Sequence, residues 1–300
     1  LDAYRIELSG VVCYDCESLL LAAKIAQHFS LYFPSEESIH FSRSKYAMKA
    51  IWKSLGVSSP ASALIKSLEE FLRFFNALKK PVVIKPLNGS GSELVFLCKS
   101  EEDCVKAFTS IHEQIQRRTS RIFQSPDKYS FCVERYIGGE EYSCDFIIED
   151  NEVEIIRLAR KWPDDQSTFG TILAYEIPGQ LSNGYTIEAL RRELKNAAKG
   201  LGIDRAMAMV DFKIEDNQIY FLELTPRLGG DCLPALIHSS SLMDVFEASF
   251  DFAQGKKVVI PKRWSRRVGL HVIAKTSGIL RTIDLDQLKK DTRVKYYYLR

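Results

Sequence analysis

Two acidic residues of one predicted hairpin, Asp211 and Glu223, have eleven residues between them. If they face each other, four pairs (212 with 222, 213 with 221, 214 with 220, 215 with 219) leave a three-residue loop, Asp216-Asn217-Gln218. Directly opposed residues share a face with Cβ atoms roughly 5 Å apart, where two carboxylates repel. A cation between them is the remedy, and Mg²⁺ suits an oxygen set that leaves positions for water or phosphate. A solvated hairpin edge, or an ion pair with Lys213, accounts for the same two acids equally well. Lys85 leaves the apolar run Val82-Val83-Ile84 just before Asn88-Gly89-Ser90-Gly91-Ser92. Glycines let backbone N–H groups converge on an anion and the lysine adds charge, so this is a phosphate site in outline. It is neither a Gly-x-x-x-x-Gly-Lys-Ser/Thr loop nor a Gly-x-Gly-x-x-Gly turn, because Leu94 occupies the last position of the latter. Glu134 and Glu141 flank Tyr136-Ile137-Gly138-Gly139, a segment whose backbone could read a purine edge while a carboxylate accepts from ribose hydroxyls. Ordinary turn chemistry fits each of these two stretches as well.

The elements around them are legible. A strand ending at Val11-Val12 leads into a helix over 17–29, and Ser42 is placed to cap a helix that stops at Gly56. Ser67 with Glu70 and Ser100 with Asp103 read as capping boxes. Pro81 to Pro86 and Glu93 to Cys98 read as a hairpin. Phe131 to Ile137, Glu141 to Glu149 and Glu152 to Arg160 read as one antiparallel meander turning at Gly138-Gly139 and Asp150-Asn151. Lys161 to Gly170 reads as an exposed loop, a candidate lid. Thr186 opens a helix ending near Gly200, Leu242 to Gly255 reads as another helix, and short strands fill the remainder.

In order and interval, Ser44-Lys45, Pro81 to Pro86 with its Gly-Ser loop, Val133 to Ser143, Val210-Asp211-Phe212 and Phe221 to Gly230 resemble the ATP-grasp superfamily, across about Ser38 to Gly255. The resemblance implies an α+β fold of two lobes with ATP between them: a partial front α/β segment over 1–40, lobes over 41–130 and 131–255, and a β-rich extension over 256–300. It implies that Lys45 and Lys85 contact the phosphates and that Ser90-Gly91 closes over them. The backbone near Glu134 and Ile137 would read adenine, and Glu141 would bind ribose. Asp211, Glu223 and Thr225 would hold Mg²⁺, with Arg227 beside the transferring phosphoryl group. The implied reaction is ATP-dependent activation of a carboxylate as an acyl phosphate, followed by attack of an amine. Bicarbonate chemistry of the carbamoyl-phosphate synthase or biotin carboxylase type is the alternative enzyme. An ATP-binding module without catalysis is the non-enzyme. Thr225 departs from the asparagine common at that position, and the front segment is short for the family. Phosphoryl transfer rests on positioning and charge neutralisation, so the lack of a Ser-His-Asp triad is no objection.

Composition bounds the rest. With 300 residues, 46% hydrophobic and 27% charged, the chain can pack more than one lobe, and 41 basic against 39 acidic residues leave no global field for nucleic acid or an anionic membrane. Small-molecule carboxylate and amine substrates are the expected partners. Seven scattered cysteines suit free thiols in a reducing cytoplasm, with Cys13 and Cys16 forming the one Cys-x-x-Cys. Asp231 could hold a substrate amine or cap the next helix, and His238 sits on an apolar run as a core histidine would. The basic run from Lys256 to Arg267 reads as a solvated edge. A first residue other than Met, with the short front segment, suits a piece of a longer protein.

Overall fold

The computed structural model describes residues 7–87, 93–117, 128–164, 168–182, 184–273, 278–279 and 281–298. Among these, α1 (Leu19–His28), α2 (Glu36–Arg43) and α3 (Lys45–Ser54) lead into β1 (Ser62–Ile65), α4 (Leu68–Leu78), β2 (Val82–Pro86), β3 (Phe96–Cys98) and α5 (Glu101–Arg117). Then come β4 (Phe131–Arg135), β5 (Glu140–Glu149), β6 (Glu152–Pro163), β7 (Ile172–Ile177), α6 (Ile187–Gly200), β8 (Ala206–Glu215) and β9 (Gln218–Thr225). The chain continues through α7 (Leu233–Ser241), α8 (Val245–Ala253), β10 (Arg267–Leu270) and α9 (Asp286–Lys290). No described helix is long and apolar enough to cross a membrane.

Two antiparallel sheets organise these elements. The first runs β1-β4-β2-β3 and the second β10-β7-β6-β5-β8-β9. Phe71, Ala107, Ile111 and Ile115 of α4 and α5 pack on Ile65, Val82, Ile84 and Phe131 of the first sheet. Helices α3 and α6 cover one face of the second sheet through Met48, Trp52, Leu190 and Leu194. Helices α7 and α8 cover part of the other face, where Leu233, Leu236 and Val245 meet Ile147, Ile156, Ala159 and Met207. Farther along that face the sequence turns charged, at Glu141, Lys161 and Asp211, beyond the apolar patch that the helices bury.

Several local expectations hold. Glu70 N–H donates to Ser67 Oγ and Asp103 N–H to Ser100 Oγ, as capping boxes require. The Asp150-Asn151 turn has both residues at positive φ, so β5 and β6 form a tight hairpin. Others are corrected. The helix carrying Lys45 is capped by Ser44, whose Oγ accepts from Ala47 N–H, while Ser42 sits inside the separate helix α2. The strand expected at Val11-Val12 pairs with nothing among the described residues. The span from Leu242 is interrupted: Leu242 takes a left-handed φ of 64°, and α8 begins after Asp244, which caps it. Among the described residues, β10 is the one strand of the short strands expected toward the end, and His238 is exposed rather than buried.

The expected meander is split between the sheets. β4 is hydrogen-bonded between β1 and β2 in the first sheet, and the chain crosses at Gly138-Gly139 to start β5 in the second. Gly138 N–H donates to Glu215 Oε1 at 2.6 Å, and Arg135 Nη1 lies 2.8 Å from Glu215 Oε2, which clamps the crossing to the end of β8. Gly139 has φ 72°, and a Cβ there would lie 2.0 Å from the Ile214 carbonyl oxygen. Gly139→Ala therefore combines left-handed strain with a backbone clash and is expected to destabilise the fold by about 2 kcal/mol or more in chemical denaturation.

Candidate active site

Asp211 and Glu223 are direct partners across β8 and β9, as their spacing predicts. The rest of that hairpin differs: a bulge follows Asp211, so Phe212 pairs with Phe221 and the loop is two residues, Asp216 and Asn217, both at positive φ. The bulge leaves Leu222 without a ladder partner, and Leu222 O accepts instead from Lys49 Nζ at 2.6 Å. Thr225 lies two residues past Glu223 on the same face and is buried.

Lysines enclose the acids. Lys161 Nζ stands 2.5 Å from Glu141 Oε1 and 3.0 Å from Asp211 Oδ2, and Lys213 Nζ is 3.4 Å from Glu141 Oε2. From α3, Lys45 Nζ approaches Glu223 Oε2 at 3.8 Å. In the first sheet Glu134 takes Lys85 at 2.5 Å and Lys49 at 3.0 Å. Lys49 and Lys161 were missed by sequence reasoning, Lys161 because it was placed at the start of an exposed loop. It lies within β6, opposite Glu141 and Tyr175, and is buried. A signal for Lys49 existed: four residues after Lys45 it must share that residue's helix face.

Electrostatics follow from burial. Burial pushes the Asp211 carboxyl above its ordinary value, and Glu223 and Glu141 add to this against the opposing pull of Lys161. Burial opposes ionisation of Glu134 and Glu223 too, yet their lysines prevail and hold both below the usual range. Lys45 is lowered, by burial and by the neighbouring Lys85 and Lys49, against Glu223. Burial likewise works against the Lys85 and Lys161 ammonium groups, but their carboxylate neighbours raise both. Among the described residues, five ammonium groups (Lys45, Lys49, Lys85, Lys161, Lys213) are thus interleaved with four carboxylates (Glu134, Glu141, Asp211, Glu223), a lysine-rich array suited to a polyanion.

Asp211 Oδ1 is buried without a hydrogen-bond partner. Such an oxygen, beside a second carboxylate across the ladder, fits Mg²⁺. The adenine expectation needs one correction. Glu134 lies in a strand paired on both sides and its side chain holds two lysines, so its backbone is not open to a base edge. Ile137, buried just past β4 and outside both ladders, remains suited to that role. Ser90 and Gly91 lie outside the described residues.

Arg227 follows Thr225, whose carbonyl accepts the Arg227 N–H at 2.8 Å, and its Nε donates to Cys16 Sγ at 3.1 Å. Burial disfavours its charge, but Cys16, Glu223 and Asp145 outweigh that and raise its pKa. The next turn is anchored from below: Gly229 N–H donates to Asp145 Oδ1 at 2.9 Å, and Asp145 is paired with Arg157, both fully buried. The resulting site gathers lysines of α3 and of both sheets around a cation-accepting acid pair, with a braced arginine two residues beyond Thr225.

A profile of the ATP-grasp domain matches residues 78–235, more than half of the chain. The chain belongs to the ATP-grasp family. It is 30% identical over 191 residues to D-alanine–D-alanine ligase B of Chromobacterium violaceum, which covers 62% of this chain and 57% of that protein. It is 23% identical over 279 residues to the uncharacterized protein y4rH of Sinorhizobium fredii, 93% of this chain and 56% of that one. Its fold matches an L-amino acid ligase from Bacillus licheniformis with a TM-score of 0.76 at 19% identity, over 97% of this chain and 68% of that one. The ATP-grasp chain thus spans little more than half the length of these curated relatives.

Glu134→Gln leaves Lys49 and Lys85 buried without their counter-charge and is expected to cost roughly 3–5 kcal/mol in urea unfolding. Because its pKa is depressed in the fold, the Glu134 carboxylate stabilises above the ordinary glutamate value of about 4.3. That contribution disappears as pH falls through the lower folded value. The acid-side loss of stability should therefore be shallower in Glu134→Gln than in the wild type.

Proposed function

We propose that this ATP-grasp chain carries the catalytic core of an ATP- and Mg²⁺-dependent ligase that activates a carboxylate as an acyl phosphate for attack by an amine, with amino acid or peptide substrates. The observation that carries the reading is the half-buried Asp211–Glu223 pair, with the buried, unpartnered Oδ1 of Asp211, set among lysines. A bound Mg²⁺ would be held by Asp211 and Glu223, with Thr225 offering a further oxygen, and would supply neutralisation of phosphate charge. Lys45 and Lys85 bind and orient the triphosphate. Ile137 is suited to read the base through its backbone, and Glu141 to accept from ribose hydroxyls. Arg227, held by Cys16 and the Thr225 carbonyl, stabilises charge on the phosphoryl group as it passes from ATP to the substrate carboxylate oxygen. The amine then attacks the acyl carbon, and phosphate leaves with that oxygen. The ligase names of two relatives support this reading.

With substrate ¹⁸O-labelled in the carboxylate, label is expected in the released phosphate. ATP consumption with no label transferred, or turnover needing only bicarbonate, would contradict acyl phosphate formation from an amino acid. Arg227→Ala is expected to lower kcat on the order of 10²–10³-fold, with a smaller change in ATP affinity measured by calorimetry.

A further inference from the structure

Among the described residues, one group outside the phosphate pocket gathers three different metal-ligating side chains. Asp231, Cys232 and His271 each offer a ligand atom, and these atoms lie within 4.8 Å of one another. Asp231 and Cys232 belong to the turn between Arg227 and α7, Asp231 at φ 60° and Cys232 at the helix N-cap, where its side chain makes no capping bond. His271 follows β10 and extends the sheet edge, its backbone N–H donating to Leu173 O at 2.8 Å. Sequence reasoning could not join a turn near 231 to a residue forty positions later.

The imidazole indicates what the group is for. His271 Nδ1 lies 2.7 Å from Ile172 O, and a carbonyl only accepts, so Nδ1 carries a proton and the lone pair of the neutral ring is on Nε2. Nε2 is buried and 2.8 Å from Asp231 Oδ2, yet it has no partner in hydrogen-bond geometry. In the neutral ring that lone pair faces a carboxylate, and together they make a site for a cation. A backbone carbonyl on the far nitrogen is also the support that fixes metal-bound imidazoles in one tautomer. The third ligand has room reserved for it: a Cβ on Gly269 would lie 2.9 Å from Cys232 Sγ.

We propose that Asp231, Cys232 and His271 bind one divalent ion of the zinc class, which fastens the turn following Arg227 to the edge strand β10. A mixed nitrogen, sulfur and oxygen set selects Zn²⁺ or Co²⁺ over Mg²⁺, whose oxygen-only preference matches Asp211 and Glu223 instead. Bonds of about 2.0–2.3 Å require the sulfur to move in slightly and the Nε2–Oδ2 gap to open. Three protein ligands leave a fourth position for water. The site lies on the same sheet face as the phosphate pocket, and Tyr175 stands between the two: it pairs with Lys161 across the ladder, and its ring is 5.8 Å from that of His271.

The test is titration of the full chain with Co²⁺ in excess Mg²⁺, followed by absorption, with circular dichroism confirming the fold of each variant. One equivalent of Co²⁺ should produce a thiolate-to-cobalt charge-transfer band in the near ultraviolet, and Zn²⁺ should abolish it. Cys232→Ser should remove that band, and His271→Gln should weaken Co²⁺ binding by roughly 10–100-fold or more. Asp211→Asn, altering only the phosphate pocket, should leave the band intact. Absence of the band in the folded wild type would overturn the proposal and leave a protonated His271 paired with Asp231. Survival of the band in Cys232→Ser would overturn it equally. None of these readouts depends on ATP turnover, so the ligase reading and the metal site can fail separately.

Discussion

Buried lysine ammonium groups set against buried and half-buried carboxylates are the interaction on which the rest of this structure depends. Each charge is expensive to remove from water, and only a partner within a few ångströms makes its burial tolerable. The partners come from different elements: Glu134 of β4 holds Lys85 of β2 and Lys49 of α3, while Lys161 of β6 joins Glu141 of β5 to Asp211 of β8. Withdrawing any one strand would strand charges on its neighbours. The array, through Lys49 and Lys45 of α3, therefore helps specify the mutual placement of the two sheets and provides a lysine-rich site where a polyanion can sit.

Helix α3 is the link between the sheets. Its apolar side places Met48 and Trp52 in the core of the second sheet, with Trp52 Nε1 donating to Ala197 O at 2.9 Å. Its polar side directs Lys49 to Glu134 of the first sheet and Lys45 to Glu223 of the second. A hydrophobic stripe and a lysine pair at helical spacing thus perform two tasks, packing and charge placement, in ten residues. On the opposite face of the second sheet, α7 and α8 cover only the apolar end. The fully buried Asp145–Arg157 pair marks where that coverage stops and the charged pocket begins.

Much of this was legible in the sequence because the signals are local. Cap residues, Gly-Gly and Asp-Asn turns, and the spacing of Asp211 and Glu223 are fixed by backbone chemistry within a few residues. What escaped is non-local. Nothing near β4 tells that it pairs with β1 and β2 rather than with the strand that follows it. The bulge after Asp211 does not alter the apolar pattern enough to be seen beforehand, yet it shortens the turn and frees the Leu222 carbonyl for Lys49. Lys161 sits beside Trp162, Pro163 and two aspartates, which read as loop. Its burial is decided by Glu141 and Asp211 on other strands. Lys45 and Lys85 stand beside Glu223 and Glu134, and Arg227 is held by Cys16. Glu134 takes a different part, as the anchor of two lysines.

The arrangement stands or falls on whether the acid pair, through Mg²⁺, and the lysines act on one triphosphate. Calorimetric titration with ATP, with and without Mg²⁺, measures this directly in the wild type and in an Asp211→Asn, Glu223→Gln double variant. The expected result is 1:1 binding that Mg²⁺ tightens at least about tenfold, about 1.4 kcal/mol, in the wild type and leaves unchanged in the variant. Binding indifferent to Mg²⁺ in the wild type, or an equal Mg²⁺ effect in both proteins, would contradict it.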